Sequence, residues 1–239
     1  MNLSKTVVMI VGAGRGIGRA SAELFAEAGA DLVLASRTEA ELSELEGNLE
    51  SRYGARTLSI QTDVTDESQV KRLVNETITR FGQIDKLIYT AGVGVLKPFG
   101  ETTVEEFEHL MAVNVKGAFL LCKSVLPLME QQKRGHIIAV PGILGRAPMA
   151  QAAIYCASKY ALTGMLKALA LETKRAGTRI SLLHLGGVNS GFWDTISMRV
   201  QRERMLTIDA AARAVFFAAT QEGEGVLNEI VLQPESHQM

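Results

Sequence analysis

Tyr155 and Lys159 lie four residues apart in Tyr155-Cys156-Ala157-Ser158-Lys159. On a helix that spacing puts both side chains on one face. A phenol has an ordinary pKa of about 10, too high for proton transfer at neutral pH, and a nearby ammonium favours the phenolate. The pair therefore reads as a general acid/base in which Lys159 tunes Tyr155. An exposed Tyr and Lys on a solvated helix have the same spacing, so the reading needs support from elsewhere in the chain.

That support comes from Val11-Gly12-Ala13-Gly14-Arg15-Gly16-Ile17-Gly18. A short apolar, mostly β-branched run at 6–11 precedes it, and residues 19–28 follow with apolar positions at helical spacing. Strand, glycine turn and helix in that order offer free backbone N–H groups and a helix dipole to a phosphate. The glycines fit G-x-x-x-G-x-G through Gly12, Gly16 and Gly18, and not G-x-G-x-x-G, because Ile17 falls on the last glycine. A tight turn without a ligand is the alternative. Its place at the first βα junction of an alternating chain favours a nucleotide phosphate.

The position that usually meets the adenosine ribose, about twenty residues beyond the glycines, is acidic in NAD sites. Here Ser36 and Arg37 occupy it, and no local carboxylate is available to accept from a 2′-hydroxyl. Arg37, with Arg15 from the turn, suits a 2′-phosphate, so the expected cofactor is NADP. Asp63, after the third strand, reads either as an acceptor for the adenine amino group, with Val64 packed on the ring, or as a turn aspartate.

The elements that position these residues alternate strictly. Strands are expected at 6–11, 31–35, 57–61, 86–89, 135–140, 179–185 and 229–232. Helices are expected at 19–28, 39–53, 67–81 with Asp66 as cap and Gly82 as stop, 103–113, 115–131, 152–173, and 209–220 with Asp209 as cap. The strands are continuous apolar runs, as in a parallel sheet covered on both faces. The expected fold is α/β, one doubly wound seven-stranded parallel sheet with helices on both faces, in a single domain over 1–239. Ligands of such sheets lie at the carboxyl ends of the strands.

Composition narrows the function. The 239 residues are 47% hydrophobic and carry a net charge of −1. That argues against strong electrostatic binding of nucleic acid or membrane. Cys122 and Cys156 read as buried thiols, and His109, His136, His184 and His237 lack ligand spacing, so no metal is expected. The N-terminal apolar run is too short for a signal peptide, and a cytoplasmic location is expected.

Taken together, these motifs resemble the short-chain dehydrogenase/reductase family over essentially the whole chain. The matching pieces are Gly12-x-x-x-Gly16-Ile17-Gly18, Asp63-Val64, Ala91-Gly92, Asn114 in Ala112-Val113-Asn114-Val115, and Tyr155-x-x-x-Lys159. The resemblance implies hydride transfer between a nicotinamide and a carbonyl or alcohol, with Tyr155 moving the proton. It implies that Lys159 also holds the nicotinamide ribose and that Asn114 holds a water linking Lys159 to solvent. It further implies that Val188 and Ser190 meet the carboxamide, and that the chain forms a homodimer or homotetramer.

The chain also departs from that pattern. The family usually has a serine thirteen residues before the tyrosine, donating to the substrate oxygen, and Gly142 stands there. Thr90 replaces an asparagine, and Gly186 replaces a proline. Losing one oriented donor typically costs about 10²–10³ in rate. Three readings stay open: a reductase whose missing contact comes from the substrate, a water or a backbone N–H; related proton transfer that does without the serine; and an NADP(H)-binding regulatory subunit. Outside enzymology, a nucleotide-binding assembly module is the remaining class. Restoring the donor with Gly142→Ser is expected to raise turnover if its absence is limiting. Residues 93–98, 143–148 and Phe192-Trp193 are expected to line a mostly apolar pocket, with 189–207 as a lid. Arg146 reads as a contact for an anionic group or as a solvated side chain.

Overall fold

The structure is a computed structural model and describes residues 2–221, 223 and 225–237. Among those residues, strands β1 (Val7–Val11), β2 (Asp31–Ser36), β3 (Thr57–Gln61), β4 (Lys86–Tyr89), β5 (Gly135–Ala139), β6 (Thr178–Leu185) and β7 (Glu229–Leu232) form one parallel sheet. Their order is β3-β2-β1-β4-β5-β6-β7. The order reverses between β1 and β4, which opens the crevice where doubly wound sheets hold ligands.

The helices are α1 (Gly16–Glu27), α2 (Glu39–Tyr53), α3 (Glu67–Phe81), α4 (Val104–Met111), α5 (Gly117–Gln132), α6 (Ala153–Thr173) and α7 (Ile208–Thr220). Because side chains alternate along a strand, β1 feeds both faces of the sheet. Val7, Met9 and Val11 join a core with α3, α5 and α6, whereas Val8 and Ile10 join one with α1, α2 and α7. Both cores are needed, since every central strand is apolar on both sides. Phe25 of α1 is fully buried and packs 5.2 Å from Phe216 of α7. Burial of such a side chain contributes about 1.5–3 kcal/mol.

Two local expectations change. The helices expected at 103–113 and 115–131 are joined by a π turn over Ala112–Lys116, in which Gly117 N–H reaches back to Ala112 O. Val113 O inside this turn accepts from Tyr89 Oη at 2.6 Å. The stretch Val104–Gln132 is long and apolar enough to cross a membrane by length and composition, but half of its most apolar window is buried inside the fold. The cap of α7 is Thr207, whose hydroxyl accepts from Ala210 N–H, and Asp209 lies in the first turn instead. The Asp66 cap and Gly82 stop of α3 are as expected.

Candidate active site

The glycine turn is built from backbone contacts that tolerate no side chain. Gly12 and Ala13 N–H donate to Ala35 O of β2 at 2.8 and 3.1 Å. A Cβ on Gly12, whose φ is +92°, would lie 2.7 Å from Ala91 N, and one on Gly18 would collide with Gly12 O. Thr90 braces the turn by donating to Val11 O at 3.0 Å, so the residue replacing the usual asparagine has a structural partner. Gly16, at φ +58°, faces open space, and Arg15 at the start of α1 is exposed. Ile17 packs partly into the core below. This leaves a backbone cradle with an open face at a helix N-terminus, which fits a dinucleotide phosphate.

The adenosine corner holds one residue that local sequence could not place there. Ser36 ends β2 with its hydroxyl on the backbone of Thr38, and Arg37 beside it is exposed. Neither Arg15 nor Arg37 forms an ion pair among the described residues. The expectation that no carboxylate reaches this corner is corrected by Glu41. Its carboxylate, carried on the first turn of α2, lies against Gly14, where a Cβ would also be 3.0 Å from Ser36 Oγ. Asp63 makes a turn, its Oδ1 accepting from Thr65 N–H and O–H at 2.8 Å each. Val64 is 6% exposed and packs on Gly117, so its side chain serves the core.

α6 brings Tyr155 and Lys159 to the ends of β4 and β5. Lys159 Nζ lies 5.5 Å from the Tyr155 ring centroid. Lys159 is only 5% exposed, and burial pushes its pKa down to about 8. Burial, with a smaller contribution from the Cys156 thiol, pushes the Tyr155 phenol up. Lowering of the Tyr155 pKa by Lys159 is therefore not the larger effect here; desolvation favours the neutral form of both groups. Gly92 gives Lys159 its room, because a Cβ there would be 3.1 Å from Nζ and 3.2 Å from Asn114 Oδ1.

Asn114 is fully buried in the π turn. Its Oδ1 accepts from Val93 N–H at 2.9 Å, and its Nδ2 donates to Val93 O and Ser158 Oγ, each at 2.9 Å. Both donors of the amide are thus committed to protein. Its side chain clamps the segment after β4 to α6, which differs from the water-holding role the resemblance implies for it.

Because Lys159 holds its proton less tightly when folded, the unfolded chain binds more protons between about pH 8 and 10.5. Stability of the ligand-free protein is expected to rise with pH across that window and to be lowest below it. The rise is on the order of 3 kcal/mol. Thermal melts below and above pH 8 should show it in the native protein and not in Lys159→Met. An equal rise in both would contradict the assignment.

Gly142 is more than a missing hydroxyl. Its φ of +77° and ψ of 174° place it in a region essentially restricted to glycine. A Cβ there would meet only Leu185 O, at 3.6 Å. A serine therefore has room but would cost about 1–3 kcal/mol in backbone strain. The effect of Gly142→Ser on turnover therefore reads the restored donor against that backbone strain. Gly186 N–H donates to Leu232 O at 2.8 Å, a bond that the family's usual proline cannot make.

Over Tyr155 lies an apolar cluster in which Leu96, Ala152 and Cys156 are buried and Leu144, Phe192, Trp193, Ile196 and Met198 pack around them. The Phe192 ring is 5.7 Å from that of Tyr155 and occupies space left by Gly94. Val188 is nearly buried and bridges to Leu206, and its carbonyl accepts from Trp193 Nε1 at 2.9 Å. Ser190 starts a short 3-10 turn with its hydroxyl accepting from Phe192 N–H. Arg202 clasps this loop from outside, bonding Asn189 Oδ1, Asp194 Oδ1 and Ser190 O at 2.7–2.9 Å. Among many surface arginines, the sequence carries no sign that this one closes a loop.

A parallel sheet with a glycine cradle at its switch point, and a Tyr–Lys pair beside the neighbouring strand ends, defines a nucleotide-binding oxidoreductase architecture. Residues 6–200 match the family described as short chain dehydrogenase, and the chain belongs to that family. It is 35% identical over 240 residues to a sepiapterin reductase of Chlorobaculum tepidum, covering 97% of each chain. It is 33% identical over 207 residues to an L-fucose dehydrogenase of Mus musculus, covering 86% of this chain and 74% of that one. Among solved structures, a metagenomic short-chain oxidoreductase in complex with NADP superposes with a TM-score of 0.85 at 30% identity, covering 97% and 98% of the two chains.

Proposed function

We propose that this chain is an NADP(H)-dependent oxidoreductase that interconverts a carbonyl and an alcohol, folded as one NADP-binding domain of a cytoplasmic homodimer or homotetramer. The observation that carries the reading is the half-buried Tyr155 paired with the buried Lys159 beside Gly92, at the crevice that the glycine turn opens. The NADP complex of the metagenomic relative supports the cofactor. Gly12, Gly16, Ile17 and Gly18 cradle the pyrophosphate, and Arg15 and Arg37 face the 2′-phosphate. The turn at Asp63 and the backbone of Val64 would flank the adenine, and Ala91 and Gly92 the adjoining ribose. Val188 and Ser190 lie at the carboxamide.

When bound, NADPH supplies a hydride to the carbonyl carbon. Tyr155 gives the phenolic proton to the carbonyl oxygen, so the developing alkoxide is neutralised as it forms. Lys159 holds the nicotinamide ribose, and its ammonium stabilises the resulting phenolate. Asn114 keeps the β4 exit and α6 in register. The apolar wall of Leu96, Leu144, Phe192 and Trp193 excludes water and suits an uncharged, apolar carbonyl compound.

Cofactor preference tests the adenosine corner. NADPH is expected to bind more tightly than NADH, with the difference shrinking at high salt. Arg37→Glu should weaken NADPH binding roughly tenfold or more. Glu41→Gln should strengthen it by removing the carboxylate beside Ser36. Equal affinity for both nucleotides in titrations would contradict the assignment. Exposed Val104, Phe107 and Phe119 on α4 and α5 favour self-association, and light scattering that finds a clean monomer would contradict it.

Gly142 favours a second reading, an NADP(H)-binding subunit with little turnover, because the usual donor to the substrate oxygen is absent. Tight NADPH binding without oxidation against any carbonyl would support it.

A further inference from the structure

Against the turn that follows Gly142 lies a small charged cleft whose lining does not include Tyr155 and which the proposed reaction does not use. It is lined by Arg146, Tyr160, Thr163, Lys167, His184 and Glu229. Glu229 is its hub, meeting Lys167 Nζ at 2.5 Å, His184 Nε2 at 3.3 Å and Arg146 at 3.5 Å. The Lys167 hydrogen bond, reinforced by the charges of Lys167 and Arg146, holds the Glu229 carboxyl below its ordinary range, so it is an acceptor.

His184 stands between this hub and the turn. It is fully buried in β6, and its Nδ1 lies 3.1 Å from Gly142 O. A carbonyl only accepts, so Nδ1 carries the proton and donates. Within the turn, Gly142 O also accepts from Gly145 N–H at 3.1 Å, and Ile143 O accepts from Arg146 and Ala147 N–H at 2.9 Å each. Gly142 N–H donates to Leu183 O at 3.2 Å, and Tyr160 Oη on α6 donates to Arg146 O at 2.5 Å. Gly145 fits against Thr163 and Lys159 O only because it has no side chain. What the turn presents to the site is Leu144, packed in the cluster with Tyr155 and Phe192. With no side chain at Gly142, the set of this wall depends on main-chain bonds.

We propose that His184 is a positioning residue: its Nδ1–H···O=C bond to Gly142 fixes the turn that forms the substrate wall beside Tyr155, and the Glu229 carboxylate lies 3.3 Å beyond Nε2 on the far side of the ring. The inference rests on the reductase reading for its effect on rate, but not for the clamp itself.

Two isosteres separate the clamp from simple space filling. His184→Asn places an amide donor at the Nδ1 position, facing Gly142 O. His184→Gln places it at the Nε2 position, facing Glu229. Hydrogen exchange of residues 142–147 in the cofactor-free protein reads the turn directly. Steady-state reduction of 1-phenylpropane-1,2-dione with NADPH reads the consequence. Exchange is expected to stay near native in His184→Asn and to accelerate in His184→Gln. In His184→Gln, kcat/KM for the dione should fall about tenfold at unchanged NADPH affinity, and His184→Asn should recover most of it. Equal exchange in the two variants would overturn the clamp, as would a loss in His184→Asn as large as in His184→Gln. The expected exchange pattern in a native protein that oxidises NADPH with no member of a panel of apolar ketones and diketones would establish the clamp and overturn the reductase reading instead.

Discussion

Tyr155→Phe is expected to lower carbonyl reduction by about 10²–10⁴-fold while leaving NADPH affinity unchanged. The substitution removes one oxygen and keeps the ring. The packing of that ring 5.7 Å from Phe192 and its place in the apolar cluster should survive, so the fold should too. What disappears is the phenol whose ring centroid lies 5.5 Å from Lys159 Nζ. Burial works against the phenolate. A site that pushes the Tyr155 phenol up and Lys159 down to about 8 keeps the proton on the phenol until a substrate oxygen can take it. Steady-state kinetics and NADPH fluorescence titration on both proteins check the point. A variant within a few-fold of native turnover would assign the proton to another group.

The second large effect is expected at Asn114. Asn114→Leu leaves Val93 N–H, Val93 O and Ser158 Oγ without the partner that each has at 2.9 Å. A buried polar group left unpaired costs about 1–3 kcal/mol. Loss of stability of about 3 kcal/mol or more should follow, a fall in Tm of roughly 10 °C for a chain of this length. Activity should fall further than stability alone explains, because the clamp sets the distance from Gly92 to Lys159. Calorimetry with and without NADPH separates the two effects. A change in Tm of only a degree or two would show that the amide does not clamp the β4 exit.

The fold was largely legible in the sequence, and it is clear why. β3, α3, β4 and β7 fall where apolar runs, Asp66 and Gly82 put them, since caps and β-branched runs act over a few residues. The glycine turn was legible because its spacing serves a local backbone need. The π turn was not, because Ala112–Lys116 is an ordinary helical sequence whose extra residue is fixed by Val93, Ser158 and Tyr89 from other elements. Glu41 was missed for a similar reason. It reaches Gly14 through the direction in which α2 leaves Thr38, and no spacing rule encodes that.

Gly142 shows the limit most clearly. Its identity is visible in the sequence, but the sign of its φ is not, because glycine takes both signs at similar cost. Only the backbone at +77° turns an absent serine into a required glycine. The bonds that hold this turn, from His184 and Tyr160, likewise come from separate elements.

The most direct test follows the hydride. The protein is incubated with NADPH carrying deuterium at the transferable nicotinamide position and with a panel of apolar ketones and diketones, and product alcohols are analysed by mass spectrometry. Deuterium on the carbinol carbon of at least one product is predicted for the native chain and not for Tyr155→Phe. NADPH that binds tightly and delivers deuterium to no member of the panel would contradict the account.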